Sequence, residues 1–369
     1  MATITAEDRT ALTDSLRRLL ADRSAEADVR RTMETAEGYD PELWRQLAEM
    51  GIVGLVVEEA YGGVGAGPVE LERVMEETGA ALLCGPLLSS AVLAAELLRV
   101  LGDEEAKTRL LPVIADGSRI ATAALTGRRG GWTQDTVEVE ARADADGAWT
   151  LTGVASFVTH GQIADVFLVA ARAADEIAVF EVAPGAARVA PLPAFDHTLR
   201  LAEIAFDAAP ARRLASSGPA WDGVEQALDL ARVALAGEEA GAGRRLLELT
   251  VDYAKTRVQF GRLIGSFQAI KHMAANLALE SESAISAARR AAQALADGSA
   301  DAPAAISLAS FACADAFGQI AADAIQMHGG IAFTWAHPAH LYLRRARADA
   351  QLFGTSAAYR ERFLTELGA

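Results

Sequence analysis

The sequence predicts an α+β fold that is mostly helical and has a β domain in its middle. Three observations support this prediction. Apolar residues recur at helical spacing up to about residue 117, period-two alternation replaces them from about Arg119 to Leu214, and helical spacing returns from Ala220 onward. A chain of 369 residues is expected to form two or three domains. We therefore expect a helical domain at 1–117, a β domain at 118–214 and a helical domain at 215–369.

Composition and charge argue against several kinds of function. The chain is 51% hydrophobic and has a formal net charge of −16, with 50 acidic and 34 basic residues. Nucleic-acid binding rests on positive charge, so we expect no nucleic-acid partner. Cys84 and Cys313 lie far apart and form no metal-ligand or redox motif, so we predict no metal site. No apolar run approaches about 20 residues and no signal peptide is visible, so we expect no membrane span and a cytoplasmic location.

In the amino-terminal domain, glycines separate the predicted helices. Residues 42–51 are amphipathic and end at Gly51, as a helix commonly does. Residues 52–67 contain too many glycines for a helix, and we predict an ordered loop there. Helices are predicted over 69–100 and 103–114, where apolar residues recur at helical spacing.

The middle domain is predicted to be a mostly antiparallel sheet. Residues 136–143 alternate between apolar and polar, and the alternation resumes at 149–152 after a turn. Further strands, separated by glycine and proline, are predicted at 166–171, 176–182 and 201–206.

In the carboxy-terminal domain, residues 253–268 join two long helical runs. Gly261 is predicted to end the first helix and Ser266 to cap the next. The cation at this break, Arg257, suits a phosphate, because the planar guanidinium can form two parallel hydrogen bonds. An ordinary helix-helix turn with a solvated arginine is equally compatible with these residues alone.

Four motifs follow one another along the chain: Trp44…Gly51 with Glu58–Gly65, Leu151–Gly161, Arg257–Gly261 with Phe267–Gln268, and Gln326–Gly330. Together with the helical, β, helical order, they resemble the acyl-CoA dehydrogenase family over essentially the whole chain. The resemblance implies an amino-terminal helical domain, a middle antiparallel β domain and a carboxy-terminal four-helix bundle. It also implies FAD as cofactor, oxidation of an acyl-CoA thioester to its 2,3-enoyl form, and an electron-transfer flavoprotein as electron acceptor.

In this family, a neighbouring subunit completes the flavin site of each subunit. The residues that the neighbour supplies are all present here, and the resemblance assigns them to cofactor binding: Arg257, Phe260, Gln268, Gln326, Gly329 and Gly330. Arg257 can pair with the flavin diphosphate, and the two glycines allow a bulky ligand to approach the backbone closely.

The residues that a subunit offers to its own flavin are only partly kept. Thr126, Thr159 and Thr355 match the family's flavin site and are predicted to bind the cofactor. Gly127, however, stands where the family has an acid, and Trp132 stands where the family has the serine expected to meet the acyl-CoA. The site that this chain would use for its own flavin is therefore eroded.

No catalytic residue is predicted, because both family positions for the catalytic glutamate are apolar. Phe353 occupies the first position and Ala231 the second. Neither side chain can accept a proton, and a positioned base typically contributes about 10²–10⁴-fold in rate. Arg232, which follows Ala231, is retained, and we assign it a role in positioning the substrate.

A relocated base is the alternative. Glu238 and Glu239 lie two turns further along the helix that carries Arg232. We favour a structural role for these carboxylates, paired with an arginine such as Arg244 or Arg245.

The histidines near the carboxy terminus are assigned to surfaces rather than to catalysis. His328 is expected to line the adenosine region. A subunit-contact or CoA-facing surface is expected from the run that contains His337, His340, Arg344, Arg345 and Arg347.

The chain thus keeps the half of the flavin site that serves a partner and loses much of the half that serves itself. It resembles the base-lacking subunit of actinobacterial heterotetrameric acyl-CoA dehydrogenases, α₂β₂ enzymes that act on steroid side-chain thioesters. The predicted partner is a homologous subunit that carries the catalytic glutamate. Two other hypotheses stay open: a homotetrameric dehydrogenase with a relocated base, and a structural relative that binds no flavin.

Overall fold

The computed structural model describes residues 4–368. Before the β region it contains the helices Ala6–Arg23 (α1), Glu26–Met33 (α2), Pro41–Glu49 (α3), Pro68–Ala80 (α4), Ala95–Leu101 (α5) and Glu104–Ala115 (α6). A π-helical stretch, Leu87–Ala94, leads directly into α5.

Several helix ends follow the local signals in the sequence. Thr5 and Asp8 form a reciprocal capping box at the start of α1, and Asp40 accepts backbone N–H bonds at the start of α3. Asp103 caps α6 in the same way. Gly51 follows α3 with φ +76°, a left-handed conformation that commonly ends a helix.

The single helix predicted over 69–100 is wrong. α4 ends at Ala80, and helical structure begins again only at Leu87. Between them Leu82 adopts φ +48° and Pro86 precedes the π-helical stretch. Proline lacks the N–H that a continuous helix needs, so the helix is interrupted.

The middle region forms a seven-stranded sheet in the order β1-β4-β2-β3-β7-β5, with β6 paired to β7. Its strands are Ala121–Ala124 (β1), Glu140–Ala143 (β2), Trp149–Thr159 (β3), Val166–Ala173 (β4), Glu176–Val182 (β5), Arg188–Leu192 (β6) and Leu201–Arg213 (β7). Within residues 4–368, five of the seven strand pairings in this sheet are antiparallel, and β1–β4 and β2–β4 are parallel. The sheet is therefore mostly antiparallel.

The strand predicted over 136–143 is half as long as expected. Gln134–Thr136 is a 3-10 turn, and β2 begins at Glu140. The hydroxyl of Thr136 donates to the carbonyl of Thr133 at 2.7 Å. Such local side-chain bonds compete with the backbone ladder of a sheet.

The carboxy-terminal region consists of the helices Ala220–Thr256 (α7), Gln268–Ala296 (α8), Ala302–His328 (α9), Ala339–Asp349 (α10) and Ser356–Glu366 (α11). The long helices α7, α8 and α9 pack on one another, and α11 packs on α9 as a fourth helix. The mostly helical α+β fold is thus confirmed.

The connection between α7 and α8 differs from the predicted pair of caps. α7 ends at Thr256, and Val258–Gln259 (β8) pairs with Arg262–Leu263 (β9) in a small hairpin. Gly261, with φ +77°, lies in the turn of this hairpin and does not end the helix. Ser266 does not cap α8, because its hydroxyl donates to the carbonyl of Leu263.

α4 and α7 approach closely at three glycines. A Cβ added to Gly241 would lie 1.8 Å from the carbonyl oxygen of Glu76, and one added to Gly79 would lie 2.0 Å from that of Glu238. Gly237 faces Glu72 in the same way. This contact fixes the amino-terminal helices against the carboxy-terminal bundle.

Among residues 4–368, one helical stretch, Ala302–Phe333, is long and apolar enough to cross a membrane by length and composition. The rest of the protein buries 67% of the most apolar 18-residue segment of this stretch, as is usual for the core helix of a bundle.

Candidate functional site

The structure brings the two carboxy-terminal motifs together at one end of the bundle. The hairpin follows the end of α7, and the Gly329–Phe333 turn follows the end of α9. Tyr253 lies near the end of α7, and the centroid of its ring is 4.5 Å from the centroid of the His328 ring. Its hydroxyl lies 3.5 Å from the His328 carbonyl oxygen. Residues that are far apart in sequence therefore share one surface.

The six residues assigned to a partner's flavin have accessible side chains or open backbone on this surface. Arg257, Gln268 and Gln326 are exposed, and Phe260 is 92% exposed at the tip of the hairpin. Arg257 forms no ion pair with any described residue. Its charge is therefore available to an anionic ligand such as a diphosphate.

The glycines of the second motif face open space. Nothing among the described residues lies within 4 Å of a Cβ added at Gly329 or at Gly330. Packing inside this chain therefore does not require glycine at 330, whereas φ +69° favours glycine at 329. An open backbone is suited to a bulky ligand that comes from outside the chain.

His328 does not line this open surface as expected. Its ring is 5% exposed and packs between Tyr253 and His337, and its Nδ1 lies 2.8 Å from the Ala324 carbonyl oxygen. Burial lowers the pKa of His328, so the neutral ring stabilises the turn.

Two aromatic residues stand at the positions that the family resemblance assigns to the acyl-CoA contact and to the base. Trp132 and Phe353 meet edge to face, with ring centroids 5.1 Å apart and an interplanar angle of 73°. Trp132 is 6% exposed and Phe353 is 1% exposed. Both have left-handed backbone, with φ +58° and +61°, which is unusual for bulky residues. Phe353 is thus part of the hydrophobic core, and its match to the family's base position stays a prediction.

The three retained threonines bond within the chain or are buried. The hydroxyl oxygens of Thr126 and Thr136 lie 3.0 Å apart. The hydroxyl of Thr355 accepts a bond from the Ala358 N–H and so caps α11. Thr159 is buried, and its carbonyl accepts the Thr122 hydroxyl at 2.6 Å. Their assignment to a flavin stays a prediction.

Arg232 is buried beneath the Phe353 turn. Its guanidinium pairs with Asp229 at 2.7 Å and Glu225 at 3.0 Å, and donates to the Phe353 carbonyl at 3.3 Å. Burial opposes its charge, but these carboxylates and the ring of Tyr359 hold its pKa above its ordinary value. Arg232 therefore fixes the turn that carries Phe353, and its role toward substrate stays a prediction.

Glu238 has a different partner from the arginines expected. It pairs with Arg345 rather than with Arg244 or Arg245. Arg345 also donates to Asp196 at 2.8 Å. Burial opposes the charge of Arg345, but Asp196 and Glu238 outweigh it and raise its pKa.

Arg345 therefore lies in the core and not on the surface expected of its run. It joins the 196–198 loop of the β domain to α7, and it also donates to the carbonyl of Leu83. His340 is also buried, whereas Arg347 is exposed and Arg344 is partly exposed. The sequence gives no local signal for this ion pair, because its members lie 107 and 149 residues apart.

Glu239 is buried and makes no ion pair with a described residue. It lines a cavity of about 10 Å³ together with Arg232, Asp349 and Tyr359, behind the Phe353 turn. Burial, and next the neighbouring Glu238, raise the pKa of Glu239 well above its ordinary value. Glu239 is therefore a neutral carboxyl in a space that could hold about one water molecule.

Two family matches together cover most of the chain. Residues 6–118 match the acyl-CoA dehydrogenase N-terminal domain, and residues 221–367 match the acyl-CoA dehydrogenase C-terminal domain. This chain belongs to the acyl-CoA dehydrogenase family. FAD is the cofactor of the family, and a glutaryl-CoA dehydrogenase from Mycobacterium smegmatis with the same fold (TM-score 0.91, 22% identity, covering 99% of this chain and 95% of that chain) is described in complex with FADH2.

Similar members occur in actinobacteria. The acyl-CoA dehydrogenase IpdE2 of Mycolicibacterium smegmatis is 34% identical over 352 residues, which cover 94% of this chain and 95% of that protein. Among solved structures, the ChsE4–ChsE5 complex of Mycobacterium tuberculosis has a TM-score of 0.89 and 28% identity, covering 100% of this chain and 99% of that chain. The Tcur3481–Tcur3483 steroid ACAD variant has a TM-score of 0.87 and 29% identity, covering 98% of each chain.

Proposed function

We propose that this acyl-CoA dehydrogenase chain is the non-catalytic subunit of a heteromeric enzyme and completes the flavin site of a homologous partner. One observation carries the proposal. The ring of Phe353, which the family resemblance assigns to the position of the catalytic glutamate, is 1% exposed, and its centroid lies 5.1 Å from that of Trp132. A buried hydrocarbon ring cannot remove a proton, and its contact with Trp132 leaves no space there for a thioester.

The end of the bundle that carries the two carboxy-terminal motifs supports the partner role. Arg257, Phe260 and Gln326 are exposed there, and they match the residues by which the family completes a neighbouring site. Bound FAD would accept the hydride in the 2,3-desaturation. The contribution of this chain would be charge pairing by Arg257, packing by Phe260, and hydrogen bonding by Gln268 and Gln326.

A homotetramer with a relocated base is less well supported. Glu238 is held in an ion pair with Arg345, so it is not a free base. Glu239 faces a cavity of about 10 Å³, which is too small for an acyl chain. A purely structural relative is also less well supported, because a scaffold has no need for an exposed Arg257, Phe260 and Gln326 in one place.

The proposed substrate is a bulky acyl-CoA, the CoA thioester of a steroid side chain. It would be oxidised on the partner subunit. The support is similarity to a solved steroid ACAD and to actinobacterial relatives. We further propose that the complex is cytoplasmic and passes its electrons to an electron-transfer flavoprotein.

The test is to purify this chain alone and together with the acyl-CoA dehydrogenase subunit encoded beside it. FAD content and enoyl-CoA formation are measured for both preparations. We expect no stoichiometric FAD and no turnover for the chain alone, and both for the complex. Turnover by the chain alone would contradict the proposal, as would full FAD content and activity in the partner alone.

A further inference from the structure

The exposed aromatic residues of this chain are concentrated in one place. Of its 17 Phe and Trp residues, all of which lie within residues 4–368, four are exposed. Three of them, Phe260, Phe333 and Trp335, lie at the end of the bundle that carries the two motifs, and Phe195 lies on the β-domain loop beside it. We call these four residues the aromatic face. Exposed apolar residues scattered singly need no explanation, whereas a cluster of this kind marks an interaction surface.

The centre of the aromatic face is an ordered stack. The guanidinium carbon of Arg344 lies 4.6 Å from the ring centroid of Phe195 and 4.9 Å from that of Trp335. Arg344 also donates to the Phe195 carbonyl at 2.7 Å, which ties α10 to the β-domain loop. The ring of His197 lies 5.7 Å from Trp335. Rigid aromatic and arginine side chains are the residues most enriched at the energetic centres of protein interfaces.

The charge of the surface around the aromatic face indicates the chemistry of its partner. Although the chain carries a net charge of −16, three cations on this surface, besides the Arg257 assigned to the flavin, form no ion pair with a described residue: Arg262, Lys271 and Arg344. The complementary surface is therefore acidic. A symmetric dimer through this surface would bring two positive patches together, which is unfavourable.

A second copy is also unsuitable for a chemical reason. It would present to Arg257 and Phe260 a flavin site whose substrate side, under the proposed function, is closed by the contact between Trp132 and Phe353. The fitting occupant is a homologous subunit with an open flavin site and an acidic surface opposite Arg344.

We propose that the aromatic face, with Arg344 at its centre, is the docking surface that selects the base-carrying acyl-CoA dehydrogenase subunit over a second copy of this chain. This inference rests on the proposed function and adds to it the residues that recognise the partner. Phe195, Trp335 and Arg344 act in docking, whereas Arg257 and Gln326 act on the flavin.

The experiment measures the dissociation constant between separately purified subunits by sedimentation velocity. The probe is the acyl-CoA dehydrogenase subunit encoded beside this chain. The variants are Trp335→Ala and Phe195→Ala, and the matched controls are Leu279→Ala and Leu367→Ala, which truncate residues that are 69% and 60% exposed outside the aromatic face. We expect each face variant to raise Kd at least tenfold and each control to change it less than twofold.

Flavin content separates docking from cofactor binding. At subunit concentrations above the raised Kd, the Trp335→Ala complex should regain full FAD content, whereas the Arg257→Ala complex should not. Thermal unfolding of each isolated variant checks that the fold is intact. If Trp335→Ala does not fold, the Kd of Phe195→Ala tests the docking surface.

Three results would overturn the inference while leaving the proposed function intact. These are an unchanged Kd for both face variants, a loss of FAD without a change in Kd, and a dimer of this chain alone that Trp335→Ala disperses. Failure of the proposed function would instead be visible with the unmodified chains, as turnover by this chain without its partner.

Discussion

The rings of Trp132 and Phe353 meet edge to face at a centroid distance of 5.1 Å, and neither is more than 6% exposed. The family resemblance assigns both to positions where other members carry a group that acts on the substrate. Two separate departures from the family pattern, 221 residues apart in the sequence, therefore form one contact. The contact explains why changing either residue alone is not expected to restore a working site.

Phe353→Glu should not make the isolated chain active. The new carboxylate would be buried against Trp132, which raises its pKa and destabilises the fold. We expect no measurable enoyl-CoA formation when the variant is supplied with FAD, an artificial electron acceptor and a panel of acyl-CoA substrates. Turnover of roughly 1–10³ s⁻¹, as for most enzymes, would show that only the base was missing.

Arg257→Ala and Gln326→Ala should lower the FAD content of the assembled complex without lowering the thermal stability of this chain. Both side chains are exposed, so their removal leaves no cavity. The matched control is Lys255→Ala, because Lys255 is an exposed cation two residues from Arg257 that already pairs with Asp252. Full FAD content in both the Arg257→Ala and Gln326→Ala complexes would contradict the assignment of these residues to FAD binding.

Glu239→Gln should stabilise the protein at pH 8 and less so at pH 5. The raised pKa keeps Glu239 protonated in the folded state, whereas in the unfolded chain it ionises above about pH 4. The stabilising contribution of the protonated group is therefore present below about pH 4 and is lost as the pH rises toward the folded-state pKa. Glutamine has a similar shape and cannot ionise. Chemical denaturation at the two pH values measures the difference.

Glu238→Gln is the control for this pair. It removes the carboxylate that faces Arg345, so it should destabilise the protein at both pH values. If Glu239→Gln instead destabilised the protein more at pH 8 than at pH 5, Glu239 would have to be ionised and paired in the folded state.

Gly241→Ala should destabilise the protein by about 1–3 kcal/mol or more, as overpacking does. Its Cβ would lie 1.8 Å from the carbonyl oxygen of Glu76, so α4 and α7 would have to separate. Gly318→Ala in α9 is the control, because nothing among the described residues lies within 4 Å of the added carbon. That variant should gain about 0.5–1 kcal/mol from helix propensity. Equal unfolding free energies for the two variants would contradict the close approach of α4 and α7.

Much of the fold followed from the sequence, because its signals are local. Period-three-to-four spacing placed the long helices α7 to α9, and period-two alternation placed most of the strands. The predictions that failed did so where a local detail overrode the pattern. Pro86 interrupted the predicted helix over 69–100, and the Thr133–Thr136 turn shortened a strand. The connection at 257–263 became a hairpin rather than two helix caps.

Motif order in the sequence was also sufficient to indicate the family, because the motifs are short continuous stretches, and the same motifs predict the residues offered to a partner. Only the tertiary structure showed what joins distant stretches: the contact of Trp132 with Phe353, the ion pair of Arg345 with Asp196 and Glu238, and the stack of Phe195, Arg344 and Trp335. Each of these contacts depends on how domains pack, and side chains more than a hundred residues apart leave no periodic or spacing signal of their meeting in a single sequence.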